Sequence, residues 1–212
     1  MCCLTFFRSA LLLLLALSPL MSEGLKLDGS IDQVDQFPME RLVGAESLEE
    51  ALTSNRWEPV ENRFALGYRF EGMWFRIQAT YSGGAPMKYY LEFSEPFSEV
   101  TDFHIFESSG YREVEGGLHH PMEERALHSQ HPGVLLQFQP HETKTIYVQY
   151  RSRFTSYGAF TFYTEEGWWE KRILHTALFM FYFGGVFGMI LYNLFIYFSL
   201  RERVYLHYVA YA

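Results

Sequence analysis

Met73-Trp74-Phe75-Arg76-Ile77-Gln78-Ala79-Thr80 sets apolar residues at 73, 75, 77 and 79 against polar ones at 76, 78 and 80. Side chains that alternate every second residue belong to a β-strand with one buried and one wet face. The rhythm recurs downstream. Leu91 and Phe93, Phe103 and Ile105, Ile146 and Val148, and Phe160 and Phe162 are apolar members of alternating runs. With Phe75 and Ile77 they form the predicted core. Turn signals part the runs at Ser82-Gly83-Gly84, Ser94-Glu95-Pro96, Ser108-Ser109-Gly110, His131-Pro132-Gly133 and Gln139-Pro140-His141. A parallel sheet needs intervening helices, and the pattern offers none. Residues 46–164 therefore predict an antiparallel sandwich or barrel. Upstream, Leu48, Ala51 and Leu52 have the spacing of a short helix, and residues 23–45 read as a linker or an early edge strand.

The two ends carry a different signal. Ile173–Leu200 (ILHTALFMFYFGGVFGMILYNLFIYFSL) contains no Asp, Glu, Lys or Arg. About twenty apolar residues at ~1.5 Å each already cross the ~30 Å hydrocarbon layer. The expectation is a connector over 165–172, a transmembrane helix over 173–200 and a second helix over 204–212 (VYLHYVAYA in the sequence). The chain stops inside that second helix, which implies the N-terminal part of a multi-pass protein. At the other end, Arg8 precedes the apolar block ALLLLLAL, the layout of a signal peptide over residues 1–22. An uncleaved signal anchor is the alternative. Either places the following domain outside, with Arg201 and Arg203 inside.

Both cysteines, Cys2 and Cys3, precede that block, so the exported part forms no disulfide and is held by its core alone. Between Glu23 and Glu170 there are 24 acidic residues against 12 basic ones, a net charge of −12. Such a domain is not expected to bind nucleic acid or an anionic surface. Neutral or cationic ligands suit it, and solubility alone also accounts for the excess.

Particular segments resemble a known family. Trp74-Phe75-Arg76, the run from Tyr90 to Val100 (YLEFSEPFSEV) and Thr145–Tyr150 are similar to the second type of extracellular sensory domain of bacterial seven-transmembrane receptors with diverse intracellular signalling modules. Gly184-Gly185, Tyr192-Asn193-Leu194-Phe195, Tyr197–Arg201 and Tyr205-Leu206 resemble the start of their membrane region. The resemblance implies a jelly-roll sensory domain, thought to bind carbohydrate, on a seven-helix core in the bacterial inner membrane. It also implies a cytoplasmic output such as a diguanylate cyclase, histidine kinase or adenylate cyclase beyond Ala212, with a homodimer through that output as one assembly it allows. It carries no catalytic residue and no cofactor onto this chain. A non-signalling, membrane-tethered carbohydrate-binding or assembly module is the competing reading.

If the alternating apolar set faces the core, the other face gathers Trp74, Arg76, Gln78, Tyr90, Glu92, His104, Tyr147, Gln149, Arg151 and Tyr163. Aromatic plates beside Arg, Glu and Gln suit a small molecule or a sugar, through ring stacking and charge-assisted hydrogen bonds. The same residues also serve as ordinary cross-strand pairs on a wet sheet face. His119, His120, His128 and His131, with Glu123 and Glu124 nearby, are weighed as a metal or pH site, but their spacing matches no ligand motif and a plain loop is expected. Glu92 with Glu107 or Glu113 is the only carboxylate pairing weighed for hydrolysis; no catalytic residue is assigned. In the membrane segment, Gly184 and Gly188 allow close helix packing and Asn193 needs a protein partner. Trp168 and Trp169 sit where an interfacial belt belongs, against the lipid bilayer.

Overall fold

The computed structural model describes residues 24–68 and 71–211; the expected signal peptide, with Cys2 and Cys3, lies outside the described residues. The chain divides into two compact units, the second beginning at Glu166.

Among the described residues, the regular structure of the first unit is strands, with one short helix. The large sheet has the order β4 (Glu58–Glu61), β3 (Pro38–Val43), β6 (Met73–Tyr81), β11 (Thr143–Arg151), β8 (Val100–Glu107), β9 (Gly110–Val114). The short β1 (Leu25–Leu27) runs parallel to the end of β6; every other pairing is antiparallel. The second sheet has the order β10 (Gly133–Phe138), β7 (Met87–Phe93), β13 (Phe160–Thr164), β2 (Gln33–Val34). A two-stranded ribbon joins β12 (Thr155–Gly158) to β5 (Phe64–Tyr68). Residues 23–45, read as a linker or early strand, thus supply three strands. β1 and β2 are too short for alternation to show, and β3 (PMERLV) does not alternate: its buried residues, Met39 and Leu42, stand three apart.

Register explains the core. Ile146 lies opposite Ile77 on one side and Ile105 on the other. In the second sheet Leu91 lies opposite Val134 and Phe162. All these residues point into one shared core, and all ten predicted core residues are fully buried there. Each such side chain contributes roughly 1.5–3 kcal/mol by leaving water. The core is rich in rings: Phe93 lies 4.9 Å from Phe160 and 5.3 Å from Tyr150, and Phe64 stacks 4.8 Å from Phe75. Gly158 is required beside them, because a Cβ there would stand 2.4 Å from the Phe93 ring.

The two sides of the sandwich close differently. On one, Arg112 of β9 donates to the Leu135 carbonyl of β10 at 2.8 Å and joins the two sheet edges. On the other, the buried Asn62 side chain does the bridging. Its Nδ2 donates to the carbonyls of Asp35 (2.7 Å) and Phe160 (2.5 Å), and its Oδ1 accepts from the Phe160 amide (2.8 Å). A short helix, α1 (Leu48–Thr53), is capped by Ser47, whose hydroxyl accepts from the Glu50 amide at 3.2 Å.

The second unit is helical. α2 (Glu165–Leu200) begins at the residue after β13, so the expected connector over 165–172 is itself helix. At ~1.5 Å per residue its 36 residues span about 54 Å, more than the ~30 Å hydrocarbon layer. Among the described residues it is the one helix long and apolar enough to cross a membrane. Near its start Trp168 and Trp169 lie 5.2 Å apart, with the Arg172 guanidinium 4.6 Å over Trp168. Asn193 satisfies its amide within the helix, donating to the Met189 carbonyl at 2.8 Å. A Cβ at Gly184 or Gly188 would meet nothing within 4 Å. Arg201, at φ 55°, turns left-handed and ends α2; α3 (Arg203–Tyr211) follows.

Candidate ligand-binding site

The ten residues expected on one binding face do not share a face. Arg76 lies opposite Tyr147, Trp74 opposite Gln149, and Tyr147 opposite His104, with Gln78 and Arg151 further along the same surface of the large sheet. Tyr90 lies opposite Tyr163, and Glu92 opposite Thr161, on the outer surface of the second sheet. The shared core stands between the two surfaces. Alternation tells which way a side chain points relative to the core, but not which sheet its strand joins.

Trp74 is a second correction. It points away from the main core as expected, yet it is only 1% exposed. α1 and the chain around it cover it, forming a small second core of Leu42, Ala45, Ala51, Trp74 and Tyr147. Its indole N–H donates to the Ala45 carbonyl at 3.0 Å. No ligand can stack on a ring so enclosed. His104, likewise, is 5% exposed and lies against Trp74.

This cover divides the remaining face. On one side, Glu40, Arg76, Gln78, Thr145 and Tyr147 line a pocket of about 120 Å³. Arg76 is held there by the Glu40 carboxylate, with its guanidinium 4.7 Å over the Trp57 ring. On the other side, Gln149 and Arg151 line a separate cavity of about 490 Å³ with Gly44, Ala45, Glu46, Glu71 and Gly72. A larger cleft of about 700 Å³ opens on the Asn62 side of the sandwich, lined by residues 35–39 and 59–63. Pro38 and Met39 line both this cleft and the Arg76 pocket. Its floor is apolar, with Phe37, Met39 and Val60; Asp35, Glu61 and Arg63 supply charge. Pattern reading missed this cleft. The signal available was Pro59, in the edge strand β4, and Pro38, at the first residue of β3, the two kinds of position where proline's missing ladder donor is tolerated.

A family model described as 7TMR-DISM extracellular 2 matches residues 31–164, more than half of the chain. The chain belongs to this family. A second model, 7TM diverse intracellular signalling, matches residues 175–212, so the 7TMR-DISM sensory domain is followed here by its membrane signalling region. The molecule is the sensory portion of a membrane receptor, and such sensory families are not enzymatic themselves. Comparison with curated proteins gave no match. Among solved structures, a Bacillus thuringiensis Cry1Da tryptic core variant is similar at 10% identity and a TM-score of 0.32. That likeness covers 66% of this chain and 24% of the other, and carries no argument.

Within the 7TMR-DISM domain, Glu92 stands on the opposite sheet from Glu107 and Glu113, so the carboxylate pairings weighed for hydrolysis do not form. The four histidines lie in the loop after β9. His120 is 3.7 Å from Glu115, and His131 is 4.0 Å from Glu92. Arg125 pins that loop by donating to the carbonyls of His120, Ser129 and Gln130. Among the described residues no three ligating groups gather as a metal would need. One charged cluster was not legible at all: the buried Lys144 bonds to Glu107 and, at 3.1 Å, to Glu142. Burial alone would raise the Glu142 carboxyl, but the Gln139 amide, the Ser108 hydroxyl and Lys144 together pull it down to about 2.

Proposed function

We propose that this chain senses a small molecule or carbohydrate outside the cytoplasm and relays its binding to a cytoplasmic output attached beyond a multi-pass membrane region. The ligand occupies the cleft beside Asn62 and reaches across Pro38 and Met39 to Arg76, Gln78 and Tyr147. The cleft's volume is the observation that carries this reading: about 700 Å³ falls within the range of ~300–1,000 Å³ in which protein ligands are held. Its make-up agrees, with an apolar floor to bury a ligand's body and a few charged groups to orient it. The receptor sits in the bacterial inner membrane with this domain in the periplasm. No cofactor is required. Signalling is a population shift, limited by the ligand's differential affinity for two arrangements of the receptor.

Calorimetric titration of the full chain in nanodiscs against a panel of cell-wall and storage glycans tests this. Saturable binding that weakens roughly tenfold or more in Arg76→Ala, with the fold retained by circular dichroism, is expected. A folded wild-type chain that binds nothing in the panel counts against a carbohydrate. Binding indifferent to both Arg76→Ala and Val60→Trp counts against the cleft.

A further inference from the structure

His104 stands mid-strand in β8, and its environment is chemically asymmetric. Its Nδ1 lies 2.8 Å from the Tyr111 hydroxyl, which donates its single proton to Glu113 Oε2 at 3.0 Å. The hydroxyl oxygen therefore accepts from His104, and the neutral ring carries its proton on Nδ1. Nε2 is left as a bare lone pair, buried and without a hydrogen-bond partner among the described residues. The Trp74 ring lies 5.3 Å from the imidazole, and the Tyr111 ring stacks 6.2 Å from it.

We propose that the His104–Tyr111–Glu113 cluster is a proton-binding site, through which acid around the sensor loosens the α1 cover. The second proton on His104 must go to Nε2, where no acceptor waits. Burial disfavours that charge and holds the imidazole below its ordinary 6.5, although Glu113 and Asp102 pull the other way. The facing groups on each element make the imbalance plain. On β8, Asp102 accepts from the Gly116 amide and is itself raised by burial. On β9 stand Tyr111 and Glu113, the latter with an oxygen 3.7 Å from Nδ1. The loop beyond β9 adds Glu115 and His120, which pair with each other. On β11, Tyr147 and Gln149 are uncharged. On β6, Trp74 is apolar, and the next outward residue, Arg76, is held by Glu40. Negative charge lies on the β9 side and the apolar cover on the other, so a charged ring is drawn away from Trp74.

Trp74 joins this event to α1, because its indole bonds the Ala45 carbonyl just ahead of the Ser47 cap. When the cover opens, water reaches Nε2 and His104 regains its ordinary affinity for a proton. The open state therefore takes up the proton first as pH falls below 6.5. One proton of linkage raises the open population by up to tenfold per pH unit until the closed state also titrates.

Hydrogen–deuterium exchange on the full chain in nanodiscs, from pH 7.5 to 5 and corrected for intrinsic exchange, reads this directly. The reporter is α1, whose Ala51 amide donates to the Ser47 carbonyl at 3.0 Å. Protection of residues 48–53 should fall by up to tenfold per unit below pH 6.5, while interior amides of β6 hold. In His104→Gln the loss should vanish. A flat wild-type profile overturns the proposal, and so does an equal loss in His104→Gln. If that variant does not fold, Glu113→Gln replaces it: without the carboxylate the closed-state ring takes its proton later, so the loss should still begin near pH 6.5 but continue to lower pH than in wild type; a loss that levels off where the wild-type loss does overturns the proposal equally.

Discussion

Replacing Trp74 by alanine separates a ligand-stacking ring from a structural one. The ring is 1% exposed, packs with Leu42, Ala45, Ala51 and Tyr147, and gives its N–H to the Ala45 carbonyl. Removing a buried Trp leaves a cavity and an unpaired acceptor, which typically costs about 3–5 kcal/mol. For a domain of about 140 residues, that lowers the melting temperature by roughly 10–20 °C. Thermal melts of the full chain in detergent, followed at the strand signal of circular dichroism, give the measurement. Trp57→Ala serves as a control, since that ring is half-buried and stacks on Arg76 from outside. It should cost less than half as much. A Trp74→Ala chain that melts within about 2 °C of wild type would refute the covered-ring argument. It would return Trp74 to the role of a binding plate.

Lys144→Met should raise the Glu142 carboxyl from about 2 toward its ordinary 4.5, as read by carboxyl NMR titration. Because the folded value is depressed, the stability Glu142 contributes is fully present above about 4.5. It is lost as pH falls toward 2, so the variant's acid unfolding should begin at higher pH. Gly158→Ala should destabilise by roughly 1–3 kcal/mol in denaturant melts, because the new Cβ overlaps the buried Phe93 ring; an unchanged midpoint would contradict that close approach. A cysteine at Arg203 should resist an impermeant thiol reagent added outside intact cells, and ready labelling would mean the reverse orientation.

The core was readable because period-two alternation is a local signal. Phe75, Ile77, Leu91 and Val148 declared themselves without knowledge of their neighbours. The binding face was not readable, because it depends on sheet membership. Tyr90 and Arg76 look alike along the chain, yet β7 and β6 belong to different sheets. Trp74 failed for a related reason. Its outward direction was right, but α1, a helix of six residues (Leu48–Thr53), arrives from more than twenty positions upstream to cover it. Lys144 sits on the inward face of β11, where its charge argued for an exterior place. Glu107, from a distant strand, and Glu142 make the interior tolerable.

The peptide between Thr164 and Glu165 has a mechanical consequence. β13 is an inner strand, hydrogen-bonded to β7 along its length and to β2 near its end, and its last residue is followed at once by the first turn of α2. No slack segment lies between them to absorb a displacement. A pull on that peptide loads β13 along its own axis, and the rungs to β7 resist together in shear rather than parting one by one like a zip. An edge strand or a glycine-rich tether would yield first.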